Sequence, residues 1–165
     1  MPTPRRLLLP AVLAWAQMTG CNAAPPPLPP PPPTYTPVAD VKQLMAMLVE
    51  PAADVYWNAV GTVEDKRGVR ETAPQTAEQW DAVRNSALVV AESGNLLMMP
   101  SRLKDSTQWV TLSRGMIDAA RTAMQVAEAH DKVAVFNAGA ALYDSCVACH
   151  VKYHPEILKA NAEKE

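Results

Sequence analysis

The chain has 165 residues, a formal net charge of −2 and 19% charged residues. This length predicts one folded domain with appended segments, and the balanced charge excludes the basic surface of a nucleic-acid-binding protein. Aromatic residues make up only 5% of the chain. The apolar content comes mainly from Ala, Leu, Val and Met, which favours helices over strands.

Residues 1–20 are typical of an export signal. Two arginines precede a short apolar run, residues 7–18, which is too short to span a bilayer. The sequence Met-Thr-Gly before Cys21 resembles the cleavage site of a bacterial lipoprotein, although the usual pattern has leucine where Met18 stands. The resemblance implies a lipid on Cys21 and a membrane anchor on the periplasmic side in a Gram-negative bacterium. Ordinary cleavage nearby is the alternative, and it would leave Cys21 as a free thiol or remove it.

Residues 21–37 form a proline-rich tether, with prolines at most positions from Pro25 to Pro37. Such a run adopts extended polyproline II and cannot pack into a core. At about 3.1 Å per residue it spans roughly 40 Å. We therefore expect a disordered linker that holds a domain away from a membrane. A ligand for a proline-binding module is the alternative.

Residues 38–165 contain four stretches in which apolar residues recur three and four positions apart, the spacing of one helix face. They predict helices over about 38–60, 77–99 and 106–130, and from just after Asp131 to about residue 160. We find no strand-like alternation. Short connections between amphipathic helices predict an all-α, antiparallel four-helix bundle. Its longest connection is residues 61–75.

Several residues indicate where these helices start, bend or stop. Thr76 and Gln79 form a capping box before the second helix, and Asp105 or Ser106 caps the third. Pro51 should kink the first helix, because proline removes a backbone donor. The core-facing residues predicted for this first helix are Val41, Leu44, Met45, Leu48, Ala52, Val55, Tyr56 and Ala59.

The motif that indicates chemistry is Cys146-Val147-Ala148-Cys149-His150. This C-x-x-C-H pattern is the attachment sequence for a c-type haem. Its two thiols are spaced to reach neighbouring vinyl groups of one porphyrin, and the adjacent imidazole turns under the iron as the proximal ligand. The sequence therefore predicts haem c, bound covalently through Cys146 and Cys149, with His150 on the iron.

Three other uses of this motif remain open from the sequence. A thioredoxin-like dithiol would accompany strands and helices in alternation, which the chain lacks. A zinc site needs four ligands, and although His130 and His154 are available, no second pair has ligand spacing. A disulfide between Cys146 and Cys149 would give no role to His150.

A haem motif on the last helix of a four-helix bundle resembles the class II c-type cytochromes, which include cytochrome c′ and its six-coordinate, low-spin relatives. The resemblance covers about residues 38–155, and its specific part is the C-x-x-C-H motif together with Tyr153. The stretches 41–45, 50–54 and 94–100 also look like proteobacterial haem proteins of this type.

The resemblance implies that the first helix faces the distal side of the haem. A methionine there makes a six-coordinate electron carrier, whereas an apolar residue leaves an open iron that binds small gases. Met45 lies on the predicted apolar stripe and Met47 lies off it, so Met45 is the expected distal ligand and Met98 the runner-up. A core-filling role for Met45 is the alternative. Arg84 and Arg102 are candidate partners for the haem propionates.

We therefore expect a monohaem cytochrome that transfers single electrons to partner proteins outside the cytoplasm. No catalytic triad, carboxylate pair or phosphate loop is found in the sequence, so an enzyme is not expected. A five-coordinate haem protein that binds NO or CO is the main alternative, and peroxidase-like activity is the weakest. Cytochromes of the class often form homodimers.

Overall fold

The computed structural model describes residue 31 and residues 34–156. The predicted signal, the lipidation residue Cys21 and most of the tether lie outside the described residues. The chain divides into two units, residues 1–35 and residues 36–165. All the helices and strands given below belong to the second unit.

The second unit is mostly helical, as the sequence predicts, with one small antiparallel sheet. Helix α1, a π-helical turn and helix α2 follow without a break and form the first helical segment. The helical segments are α1 (Val41–Leu44), the π-helical turn (Met45–Val49), α2 (Glu50–Trp57), α3 (Ala77–Leu97), α4 (Gln108–Glu128) and α5 (Lys132–Tyr153). The strands are β1 (Gly61–Asp65) and β2 (Gly68–Thr72). None of the helices in the described part of the chain has the length and apolar character needed to cross a membrane.

Side chains accept hydrogen bonds from the backbone N–H groups that have no partner within the helix at the helix starts. Thr76 and Gln79 form the predicted capping box at α3. The carboxylate of Asp105 accepts hydrogen bonds from the backbone N–H groups of Thr107 and Trp109. The N-cap residue of α4 is Thr107, so neither Asp105 nor Ser106 occupies that position as predicted. Asp105 instead supplies the acceptor for the first turn from two residues further upstream.

The π-helical turn changes which residues of the first segment face the core. Glu50 donates its N–H to the carbonyl of Met45, five residues back, so the turn contains one more residue than an α-helical turn. The buried positions are Val49 at the end of the turn, and Ala53 and Tyr56 downstream of it. The predicted Leu48 and Val55 are exposed instead. Pro51 lies just after the turn. The π-helical turn forms there because the missing N–H and the ring of proline disturb the helical hydrogen bonds of the preceding residues.

Strands β1 and β2 form a hairpin that contradicts the prediction of a strand-free domain. They pair in register from Gly61 with Thr72 to Asp65 with Gly68. Gly68 has φ of +111°, which favours glycine, and Asp65 accepts a hydrogen bond from the backbone N–H of Arg67. Nearly every residue of the hairpin is exposed on both faces.

The core is made by the faces that α3, α4, α5 and the first segment turn toward one another. Packing is most extensive between α3 and α4 and between α4 and α5. The largest fully buried side chains are Tyr56, Leu97, Leu142, Val90 and Val135. Tyr56 also donates its hydroxyl to the carbonyl of Ala123 at 3.2 Å, which ties the first segment to α4.

A chain of contacts shows which helix ends lie together. Arg102 donates to the carbonyls of Ala39 and Leu96, which joins the start of the first segment to the end of α3. Trp109 donates its indole N–H to Leu97 at 2.8 Å, and its ring packs edge-on against Tyr153. The beginnings of the first segment and of α4 therefore lie near the ends of α3 and α5.

Candidate functional site

The two cysteines of the motif lie on the core-facing stripe of α5. Val135, Ala138, Gly139 and Leu142 are buried along this stripe. The same three-and-four spacing continues into Cys146, Cys149 and Tyr153, which are only partly buried. Residues three apart on a helix are neighbours, with Cβ atoms about 5–6 Å apart. The thiols are therefore adjacent and point inward, in a part of the stripe that protein atoms cover incompletely.

The last turn of α5 is fixed against the start of α4. Tyr153 donates its hydroxyl to the carboxylate of Asp105, and its ring lies 4.9 Å from that of Trp109. Lys152 donates to the side chain of Gln108. These contacts hold the turn that follows His150, so they limit how that imidazole can move. The sequence predicts Asp105 only as a helix cap, and its long-range hydrogen bond with Tyr153 has no signature in the chain.

Electrostatics at the motif favour neutral side chains. Burial raises the pKa of the Cys146 thiol. Burial, and then the neighbouring Cys146, raise the pKa of Cys149. Burial, and then His154, lower the pKa of His150. The motif also lies in the C-terminal half of α5, where the helix dipole disfavours thiolates.

Reactive dithiols have the opposite environment, because a lowered thiol pKa at a helix N-terminus activates them. The environment of Cys146 and Cys149 therefore favours haem attachment over a thioredoxin-like redox role. A neutral imidazole keeps a free nitrogen lone pair, which is the form that binds metals. His150 meets this requirement.

Met45 lies in the π-helical turn, partly buried, and packs against the core. Met47 is 75% exposed. Met98, the alternative ligand, is partly buried at the C-terminal end of α3. Both Met45 and Met98 belong to the helix ends that gather near the motif.

The contact between the first segment and α5 gives the position of Met45 along the molecule. Trp57 donates its indole N–H to the carbonyl of Gly139 at 3.0 Å. Met45 lies 12 positions before Trp57, and His150 lies 11 positions after Gly139. At 1.5 Å per residue these stretches are about 18 and about 17 Å long. These estimated lengths correspond to a similar height for Met45 and His150 along their helices. The π-helical turn packs mainly on α3.

Both candidate propionate partners already have contacts within the protein. Arg84 pairs with Asp81 at 3.0 Å. Arg102 is buried, and it donates to backbone carbonyls and to the sulfur of Met99. The sequence did not distinguish these two arginines, and the structure gives Arg102 a clear packing role.

The two other histidines lie outside the core stripe. His130 follows α4 with φ of +57°, and its ring stacks on Trp80 at 4.8 Å. His154 is exposed, with its ring centre 6.4 Å from that of His150. Within residues 34–156, no three His, Cys, Asp or Glu side chains converge as a metal-binding cluster.

No family model, curated protein or solved structure matches this chain.

Proposed function

We propose that this protein is a monohaem c-type cytochrome that carries single electrons, built on an antiparallel four-helix bundle. The observation that carries the proposal is the motif itself. Cys146 and Cys149 lie one helical turn apart on the inward stripe of α5, and His150 follows directly. This donor set suits a porphyrin that is held through two thioethers and one imidazole.

The surroundings of the motif fit a large planar group. The stripe of α5 is fully buried at Val135 and Leu142, but it is only partly covered at both cysteines. The first helical segment meets α5 chiefly through α2, near Trp57. The π-helical turn makes no contact of that extent with α5. The first helical segment and α5 therefore make few contacts near the motif, and the partly covered face of α5 there can accommodate a haem.

Each residue of the proposed site has a distinct task. The haem supplies a one-electron couple when it is bound, and methionine–histidine ligation raises its potential. Cys146 and Cys149 prevent its loss, and His150 is the proximal ligand. Met45 is the proposed distal ligand, because it is partly buried at about the height of His150. Tyr153, Asp105 and Trp109 hold the last turn of α5 in place.

The proposed location is the periplasmic side of a membrane. The export signal predicted over residues 1–20 would deliver the chain there, and a lipid on Cys21 would anchor it. The proline-rich tether would then hold the haem domain away from the bilayer, within reach of partner proteins that donate and accept electrons. Enzymatic activity forms no part of the proposal.

The test is the haem content of protein exported in a host that attaches c-type haem. We expect a pyridine haemochrome spectrum of the c type, and a mass increased by one haem. The control is Cys146→Ser with Cys149→Ser, which should lose covalent haem. A colourless wild-type protein of unmodified mass from such cells would overturn the proposal.

Met45 has its own test. We expect oxidised wild-type protein to be low-spin with the weak far-red band of sulfur–iron ligation. Met45→Ala should lose that band and bind carbon monoxide readily. Met47→Ala is the matched control, since Met47 is exposed two positions away. High-spin wild-type iron that binds carbon monoxide would instead establish the five-coordinate, gas-binding alternative.

A further inference from the structure

A groove lies between the end of α2 and the first half of α5, and we call it the aromatic groove. Its volume is about 300 Å³, at the lower end of the range for small-molecule sites. Trp57 lines it from α2, and Phe136, Gly139, Ala140 and Tyr143 line it from α5. Among the described residues that line it, none belongs to the C-x-x-C-H motif, so the groove is distinct from the proposed haem site.

The indole ring of Trp57 is fixed in the aromatic groove. Its N–H donates to the carbonyl of Gly139 at 3.0 Å. A Cβ atom on residue 139 would lie 3.3 Å from Cδ1 of this ring, so the glycine allows the ring to lie close to the backbone of α5. The ring of Tyr143 meets the indole edge-on, with ring centres 5.9 Å apart and 69° between the ring planes. The two rings therefore form a corner of the groove rather than a stack.

Phe136 supplies a third aromatic side chain. It lies seven residues before Tyr143, which is about two helical turns along the same side of α5. Gly139 and Ala140 lie between them and have small side chains or none, so the space between the two rings stays open. Phe136 is 61% exposed and Tyr143 is 55% exposed. Both rings line the groove and are still accessible to a ligand.

The charges on the two helices that form the groove are acidic. Asp144 lines the groove beside Tyr143, and its carboxylate forms no ion pair within residues 34–156. Asp54 lies three residues before Trp57, on the same side of α2. Neither α2 nor residues 133–151 of α5 contain a lysine or an arginine. The groove is therefore complementary to a positively charged ligand.

Aromatic rings beside a carboxylate favour one kind of cation. The face of an aromatic ring is partly negative and attracts positive charge, most strongly in tryptophan. A primary ammonium group would need hydrogen-bond acceptors to replace its water, and the mostly apolar lining offers few. A quaternary ammonium group has no N–H to satisfy, and its methyl groups pack directly on the rings.

We propose that the aromatic groove binds a small quaternary ammonium compound. Trp57, Phe136 and Tyr143 surround its methyl groups, and Asp144 balances its charge. A quaternary nitrogen has no lone pair, so such a ligand cannot bind iron. Its binding therefore reports on the groove alone, and this proposal and the haem proposal can fail separately.

The experiment is an NMR titration of the ¹⁵N-labelled, exported protein with choline at constant ionic strength. The indole N–H signal of Trp57, identified by its absence from Trp57→Phe, should shift and saturate with a dissociation constant of about 1 mM. The matched ligand is 3,3-dimethylbutan-1-ol, which has the shape of choline with carbon in place of nitrogen. It should bind roughly 10-fold more weakly, because it lacks the charge that the rings attract.

Variants of the groove separate the contribution of the rings from that of the carboxylate. Tyr143→Leu removes a ring but keeps an apolar side chain, and it should raise the dissociation constant for choline roughly 10-fold. Asp144→Asn removes a partly screened charge and should raise it roughly threefold. The matched control is Asp118→Asn, in α4, which changes an exposed carboxylate outside the groove and should leave binding unchanged.

Circular dichroism of each variant reports whether the helices are retained. A Trp57 signal that does not move at about 20 mM choline would overturn the proposal. Equal binding of the neutral analogue would also overturn it, because the groove would then recognise apolar shape and not charge. The same holds if Tyr143→Leu and Asp144→Asn bind choline as the wild type does.

Discussion

Asp105 serves two elements at once. Its carboxylate accepts hydrogen bonds from backbone groups at the start of α4 and from the hydroxyl of Tyr153 in the last turn of α5. The Tyr153 hydroxyl, and then the N–H of Trp109, hold the pKa of Asp105 well below its usual range. The ionised carboxylate is therefore the form that the folded protein stabilises.

Asp105→Asn should lower the thermal midpoint at pH 7, because it removes the charge from both sets of hydrogen bonds. The folded-state pKa is below the unfolded value of about 3.9, so this stabilisation is complete above about pH 4 and is lost as the pH falls. Thermal unfolding at pH 7 and pH 2.5 should therefore show a smaller difference between wild type and variant in acid. Ser106→Ala is the control, and an equal difference at both pH values would contradict the assignment.

The elements show where periodicity predicts structure well and where it does not. The predicted stripes identify the extent of α3, α4 and α5. The face predicted for α5 was wrong in part, because it ran through Phe136, Ala140 and Tyr143, which are exposed, and did not include Cys149. In the first segment the same reasoning selected Leu48 and Val55, which are exposed. A pattern fitted with 3.6 residues per turn assumes an unbroken α-helix, and one π-helical turn moves every later residue around the axis.

The crossing of α3 and α4 depends on Gly94. A Cβ atom there would lie closer than van der Waals contact to Cγ1 of Ile117 and 3.0 Å from the carbonyl oxygen of Ser113. Gly94→Ala should therefore destabilise the protein by about 1–3 kcal/mol despite the better helix propensity of alanine. Chemical denaturation measures this loss.

Gly115, in α4, is the matched control, because a Cβ atom at this exposed helical position meets nothing within 4 Å. Gly115→Ala should stabilise the protein by about 0.5–1 kcal/mol. If both variants gained stability, α3 and α4 would not pack as closely as the structure shows.

For the molecule as a whole, the helices could be predicted from the sequence because they bury apolar residues, whereas the hairpin could not because it buries almost none. Each helix has apolar residues three and four positions apart in the sequence, because these residues must pack in the core. The hairpin buries almost nothing and has only Val63 and Val69 as large apolar residues, so it leaves no alternation. Its turn does have a local signature, since Asp at the first and Gly at the fourth position favour a type I turn, as in Asp65 to Gly68.

Stability at high pH depends on Tyr56, the buried residue that joins the first segment to α4. Burial raises its pKa to about 12, compared with about 10 in an unfolded chain. Its contribution to stability is therefore complete below about pH 10 and is lost as the pH rises from about 10 to 12.

Tyr56→Phe should cost about 1 kcal/mol at pH 8, where it removes the hydrogen bond to Ala123. The variant should then lose less stability than the wild type between pH 8 and pH 11.5, because phenylalanine has no proton to release. Urea unfolding at the two pH values measures both effects. Parallel losses in the two proteins would show that the pKa of Tyr56 is the same in the folded and the unfolded chain, and so that its hydroxyl is open to solvent.

The exposed hairpin offers a practical handle on the protein. Lys66 and Arg67 form its tip, and no core residue belongs to either strand. Exposed tips of this kind tolerate inserted sequence and are where trypsin cuts first. An epitope or a fluorophore-binding peptide placed between Lys66 and Arg67 would label the chain and leave all four helical segments unmodified.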